Sequence, residues 1–186
     1  MSIAPDLDRR FRERAAAEGL VDVAYDLVDT PLGWLLVAVT DRGLCRVAFD
    51  PEPDRDTETL ARTHGVRVLR AARPVDNTRR QLSEYFEGRR TAFELPVDLS
   101  GDAPFRHRVL EELADVPYGT LTTYGALAAQ AGRPRAARAV GMIMNRNPVP
   151  IVLPCHRVVG STGNLVGYGG GLERKEQLLR LEGALV

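Results

Sequence analysis

"VLPCHRVVG", residues Val152–Gly160, sets a cysteine beside a histidine, with a proline in front and an arginine behind. Cysteine is scarce in this chain: Cys45 and Cys155 are the only two in 186 residues. Three prolines, Pro148, Pro150 and Pro154, stiffen the approach to Cys155. Stiffness suits a nucleophile, which must be aimed. A thiol attacks only as thiolate, and an unperturbed cysteine of pKa ~8.5 is mostly protonated at neutral pH. A neighbouring base or positive charge corrects this, and His156, Arg157 and their acid-free surroundings supply candidates. Adjacent side chains on an extended strand point to opposite faces. His156 is therefore expected to reach the thiol indirectly, through a water or around a turn. A zinc site would need more ligands, and no Cys/His pair at metal spacing exists. A papain-like protease would need a distant histidine and a helix starting at the nucleophile. An inert buried thiol remains open on "PCH" alone.

Upstream lie two short helical patterns. "PYGTLTTYGALAAQAG" holds a turn and then a helix with Thr122 or Thr123 as N-cap, ended by Gly132. Pro134 stands where the next helix, "PRAARAVGMIMNRN", is expected to begin. On that second helix Ala137, Val140, Gly141 and Met144 share a packing face, while Arg135, Arg138 and Met142 lie opposite. Two short helices joined by a glycine-containing turn resemble a helix-turn-helix. Before them, "APFRHRVLEELADV" carries Phe105, Val109, Leu110 and Leu113 as one apolar stripe, with His107 off it.

Charge adds direction. The chain has formal net charge +0. Yet Val116 to Leu172 contains no Asp or Glu, while it holds Arg133, Arg135, Arg138, Arg146 and Arg157. A one-signed region on a neutral protein favours a polyanionic partner. No apolar run approaches the ~20 residues of a membrane span. The charged N-terminus is no secretory signal. Two cysteines make no disulfide framework, which favours a reducing cytoplasm.

The first half reads differently. Asp6 to Glu18 is expected to form a short, loosely attached helical extension. "DVAYDLVDTPLGWLLVAVTDRGLCRVAFD" predicts three strands separated by the turn signals "TPLG" and "TDRG", with Cys45 a buried structural thiol. "PEPDRDTETLARTHG" reads as a polar connection with a helical turn, ending at a solvent-facing His64. Leu82, Tyr85 and Phe86 mark a helix, and "TAFELPVDLSGD" is extended. The expected division is an extension over 1–20, an N-terminal domain over 21–100 and a C-terminal domain over 101–186. The fold class is α/β (α+β): a small antiparallel-sheet domain packed on a mostly helical, winged-helix-like domain with a helix-turn-helix.

"NPVPIVLPCHRVVG", preceded by "AARAVG" and followed by "GYGGGLERKEQLLRLEG", closely resembles the O6-alkylguanine-DNA alkyltransferases, the methylated-DNA–protein-cysteine methyltransferases. The resemblance runs from about Phe105 to Gly183, and "GYGGG" is similar to the bacterial constitutive type. It implies that Cys155 takes the alkyl group from guanine O6 in duplex DNA, once per molecule. By the same resemblance His156 deprotonates Cys155 through a water, Glu182 orients His156, and Tyr124 donates to guanine N3. Asn147 fixes the turn into the active-site loop. Arg138 fills the gap left by the flipped nucleotide, with Arg135 and Arg133 also on DNA. Val158, Gly169, Tyr168, Met144 and Pro150 line the substrate pocket. A base inside a duplex cannot present its alkyl carbon to a thiolate, so flipping is required and costs a few kcal/mol.

The implied partner is double-stranded DNA carrying O6-alkylguanine, approached through the minor groove by a monomer, with neither metal nor cofactor. Cooperative assembly and O4-alkylthymine repair stay open. Three departures stand out. Gly169 replaces a serine of some members. "PFRHRVL" lacks a glutamine and a tryptophan common in that helix. The zinc ligands of some animal members have no counterpart here. Non-catalytic relatives carry tryptophan in place of the cysteine, so Cys155 favours activity over the alternative of a non-repairing lesion sensor or DNA-binding regulator.

Overall fold

Alternating apolar residues build a sheet in the first half of the chain. The computed structural model describes residues 5–185, and residues 1–4 of the expected extension lie outside them. Contacts cluster into two compact units, one within Met1–Asp98 and one within Leu99–Val186. In the first, β1 (Val23–Val28), β2 (Leu35–Thr40) and β3 (Gly43–Phe49) form the three expected antiparallel strands. A fourth, β4 (Val68–Arg70), joins β1 in parallel and gives the order β3-β2-β1-β4. Val23, Leu36, Ala38, Cys45 and Leu60 pack as a core on this sheet. The Cys45 thiol donates to Ala38 O at 3.3 Å, and burial pushes its pKa up to about 12, so it is inert at neutral pH.

Helices flank the sheet. α1 (Pro5–Ala17) is attached rather than loose: Ala15 is buried and Glu13 accepts the Ala72 N–H at 3.0 Å. The segment read as a polar connection is a full helix, α2 (Pro53–His64). One apolar anchor, Leu60, gives no periodic stripe. Pro53 in the first turn and the Asp56 carboxylate on the Glu52 N–H shape its start instead. His64 is also not solvent-facing: its side chain is largely covered, 4.0 Å from Asp98. Beyond α3 (Asp76–Phe86), where Leu82 and Tyr85 are fully buried, the chain runs extended beside β3, with Leu44 N–H on Pro96 O at 2.8 Å.

The second unit is mostly helical. In α4 (Pro104–Ala114), Val109, Leu110 and Leu113 are fully buried. The two-residue strands β5 (Thr122–Thr123) and β6 (Val158–Val159) pair in parallel, Thr122 with Val158 and Thr123 with Val159. α5 (Tyr124–Gln130) follows β5 directly, capped by Thr123, whose hydroxyl accepts the Ala126 N–H at 3.1 Å. Gly132, at φ +78°, turns the chain out of α5. α6 is Ala137–Asn145, shorter than expected, because residues 133–136 form a separate turn closed by Ala136 N–H on Arg133 O. Its two faces divide as expected: Val140 and Met144 are buried, Arg138 and Met142 exposed. α7 (Leu172–Leu181) ends the unit. No helix of the described residues is long and apolar enough to cross a membrane.

Replacing Thr123 by Ala removes the only side-chain cap on α5. The expected loss is about 1 kcal/mol, read as a lower denaturant midpoint with an unchanged slope. An unchanged midpoint would show that the cap does not set the start of this helix.

Candidate active site

Every residue of the site lies in the second unit. After α6 the chain makes a tight loop pinned by one side chain. Asn147 Oδ1 accepts the Val149 N–H at 3.1 Å, and its amide donates to Leu153 O at 2.8 Å. Pro150 and Leu153 form an isolated bridge across the loop. Ile151 at its tip sits at φ +76°, fully buried. A β-branched residue avoids that region unless its surroundings hold it there. The same loop then delivers Cys155–Arg157 as one turn of 3-10 helix, with Arg157 N–H on Pro154 O at 2.9 Å. Cys155 and His156 are thus neighbours on a turn, not opposite faces of a strand.

The turn sends His156 inward. Its imidazole and the Glu182 carboxyl are both fully buried, with Nε2 and Oε1 2.9 Å apart. A carboxylate only accepts, so Nε2 carries the hydrogen and Nδ1 of the neutral ring is an acceptor. Nδ1 is buried and has no hydrogen-bond partner among the described residues. Burial lowers the pKa of His156; Glu182 opposes that fall, while Arg157 and Lys175 add to it.

Arg157 was a candidate for the thiol's positive charge and for a DNA-facing surface. It serves neither. Its Nε and Nη2 donate to Glu182 Oε2 and Oε1, each at 2.8 Å, and Nη1 donates to Val116 O. Gly119 N–H adds a further donor to Glu182 Oε2 at 3.2 Å. That close approach needs glycine: φ is +71° and a Cβ would stand 2.9 Å from Glu182 O.

Around the thiol the balance differs. Cys155 is 4% exposed, and its pKa is pushed up to about 11: burial raises it, and the Asn147 amide, the Lys175 ammonium and the Cys155 N–H offset only part of that rise. In the free chain the sulfur is thus covered, and its ionisation depends on partner groups. Lys175 was missed by the sequence reading. Its ammonium is fully buried, donating to Val158 O at 2.6 Å and Val166 O at 3.0 Å. Burial lowers its pKa and the nearby Cys155 charge raises it. A signal was available: Lys175 is the only lysine among many arginines, on the same helix stripe as Leu178, Leu179 and Glu182.

The remaining residues divide between pocket and surface. Tyr124, first in α5, donates its O–H to Val166 O at 3.3 Å, and burial with the Cys155 charge raises its pKa. Met144, Pro150, Tyr168 and Val158 are buried, and Gly169 is exposed. The carbonyl of Val158 already receives Lys175. A Cβ on Gly169 would meet Asn145 O at 3.5 Å, ordinary contact, so the absent side chain leaves space rather than avoiding a clash. Arg135 and Arg138 are exposed. Arg133 is also exposed, and its guanidinium lies 4.6 Å from the Phe105 ring centroid.

Residues 104–184 match the family model of the 6-O-methylguanine DNA methyltransferase DNA-binding domain, and residues 23–99 match that of the ribonuclease-like domain of the same methyltransferase. The chain belongs to the 6-O-methylguanine DNA methyltransferase family. A methylated-DNA–protein-cysteine methyltransferase of Mycolicibacterium paratuberculosis is 42% identical over 160 residues, 86% of this chain and 92% of that one. The namesake from Methanosarcina barkeri is 39% identical, over 85% of this chain and 96% of its own. The crystal structure of the Mycobacterium tuberculosis protein in complex with DNA superposes with a TM-score of 0.74 at 38% identity, covering 87% of this chain and 93% of that one.

Within this methyltransferase fold, Lys175 is a buried cation that acts on the thiol's charge. Lys175→Met is expected to slow alkylation of Cys155 by iodoacetamide at neutral pH by about tenfold, one pKa unit of thiolate lost. Urea-unfolded samples of both proteins should react equally. Equal rates in the folded proteins would remove Lys175 from the activation of the thiol.

Proposed function

We propose that this chain performs direct-reversal DNA repair: it moves the O6-alkyl group of guanine in duplex DNA onto Cys155 in a single, irreversible turnover. The supporting observation is a buried Cys155 on the same turn as a fully buried His156–Glu182 pair whose Nδ1 is open to accept a proton. Relatives named methylated-DNA–protein-cysteine methyltransferases match some 86% of the chain, a solved relative is in complex with DNA, and DNA is the partner.

The steps follow from the side chains. A purine swung out of the duplex enters beside Tyr124, Met144, Pro150, Tyr168 and Val158. The thiol proton passes through a water to His156 Nδ1, and Glu182 holds the resulting imidazolium. The Sγ lone pair forms the S–C bond while the C–O6 bond breaks, its electrons passing to guanine. Tyr124 leaves Val166 O and donates to guanine N3, which stabilises the departing anion until it takes up a proton. A thioether is a very poor leaving group, so the protein is spent.

DNA contact follows the exposed arginines. Arg138 on α6 enters the stack from the minor groove and holds the gap open, while Arg135 and Arg133 meet phosphates. Binding is largely independent of sequence and weakens with salt. A monomer is sufficient for this chemistry. Residues 101–186 form the DNA-binding and alkyl-transfer domain, residues 21–100 the N-terminal domain and residues 1–20 an added extension. The reaction takes place in the cytoplasm, whose reducing conditions keep the thiol free.

Incubation with a duplex carrying O6-methylguanine should raise the intact mass by one methylene, stoichiometrically, and Cys155→Ser should abolish the gain. Binding without a mass change would instead favour a lesion sensor. Arg138→Ala should slow repair in duplex by at least tenfold while barely affecting reaction with free O6-benzylguanine. Equal slowing on both substrates would reject the wedge.

A further inference from the structure

Glu182 does more than meet the histidine. Its Oε1 is shared between His156 Nε2 at 2.9 Å and Arg157 Nη2 at 2.8 Å, and Oε2 between Arg157 Nε at 2.8 Å and Gly119 N–H at 3.2 Å. Both carboxylate oxygens are thus engaged by a guanidinium in fork geometry, in a place with almost no solvent. A histidine facing a lone buried carboxylate would bind a proton tightly, because its cation would be the only compensation for that charge. Such a histidine holds a proton on Nδ1 and accepts none.

We propose that Arg157 is a positioning residue for the transfer: its two-pronged grip on Glu182 balances that carboxylate, so that His156 stays neutral and keeps Nδ1 free for the Cys155 proton. The inference rests on the alkyl-transfer reading above. All charged and titratable neighbours fit it. Arg157 and Cys155 share the turn with His156. Glu182 and Lys175 face it from the last helix. Tyr118 comes from the loop after α4, its O–H on Leu181 O at 3.0 Å and its ring centroid 5.8 Å from the Arg157 guanidinium. Lys175 acts on the charge of the thiol and is tied to Val158 O and Val166 O. Each anion of the site therefore has its own cation: Arg157 for Glu182, Lys175 for the Cys155 thiolate. The imidazole between them is left uncharged. When it takes the thiol proton, the Glu182 carboxylate remains in place to hold the imidazolium, already aligned by Arg157.

The sign follows. Losing the Arg157 charge leaves Glu182 unbalanced, which raises the affinity of His156 for a proton. Neutral His156 then prevails only at higher pH, and the acid limb of the repair rate moves up. Single-turnover methyl transfer from an O6-methylguanine duplex is measured against pH, alongside 15N shifts of the His156 ring. Arg157→Gln should move the acid midpoint up by about one unit, roughly a tenfold loss of rate below it. Arg157→Lys should keep the native midpoint even if the plateau falls. Adding Glu182→Gln to Arg157→Gln should bring the midpoint back down, which a purely structural role of Arg157 does not explain. An unmoved midpoint in folded Arg157→Gln, or a double variant that stays displaced, overturns the proposal. Should Arg157→Gln fail to fold, two results decide instead: a charged His156 ring in the native protein at neutral pH, or a displaced midpoint in Arg157→Lys, overturns it. A native protein that transfers no methyl group fails the functional reading itself.

Discussion

A carboxylate cut off from solvent holds the chemistry of the second unit together. Glu182 accepts from His156, twice from Arg157 and once from the Gly119 backbone. Through those bonds the end of the last helix is tied to the catalytic turn and to the loop ahead of β5. Removing an ion from water costs several kcal/mol unless paired and hydrogen-bonded throughout, so this junction tolerates few alternatives. Gly119 is required for the approach, Arg157 for the charge, and Tyr118 closes over the guanidinium. The imidazole is oriented as a consequence, with one nitrogen bound and the other open.

The thiol obeys the opposite logic. Covering Cys155 disfavours its charged form, and its pKa stands at about 11 even with the Asn147 amide and the Lys175 ammonium favouring the anion. Reactivity therefore has to come from neighbours placed to favour the anion: the Asn147 amide, the Lys175 ammonium and, in the proposed transfer, a base at His156. Covering also protects a nucleophile that can be used once, since small oxidants and stray electrophiles meet little exposed sulfur. The phenol of Tyr124 and the ammonium of Lys175 converge on Val166 O, in the glycine-rich segment between β6 and the last helix. A substrate that engages Tyr124 has to replace that bond, so entry of the base and release of this segment are coupled.

How much of this was legible in the sequence depends on the kind of signal. The three antiparallel strands were readable because β-branched runs alternate with turn residues. The face of α6 was readable because Val140 and Met144 fall four apart. The parallel strand β4 was not: its three residues follow Arg67 and end in Arg70, and the partners of those arginines, Asp22 and Asp26, lie some forty-five residues away. Helix α2 hid behind a single apolar anchor. At the site, Cys155 and His156 stood out in the residues themselves, Tyr124, Asn147 and Glu182 through the resemblance to the alkyltransferases, and all five lie in the second unit. Arg157 was misassigned because adjacency in sequence suggested adjacency of charge to thiol, whereas the 3-10 turn rotates it toward Glu182. Lys175 was passed over because a lysine on a helix is ordinarily a solvated one, and only its place on the apolar stripe says otherwise.

The acid-free stretch from Val116 to Leu172 then acquires a second meaning. Read as surface, it keeps carboxylates away from phosphates, and Arg133, Arg135, Arg138 and Arg146 are indeed exposed. Read as interior, it surrounds a sulfur that must become an anion inside a poorly solvated site. Any carboxylate placed along it would raise the thiol's pKa as well as repel DNA. Glu182 is the exception, and it lies beyond the stretch, buried in an ion pair with the Arg157 guanidinium. The same absence of acid thus serves binding at the surface and ionisation beneath it. For that reason the charge pattern is visible in the sequence before either role is.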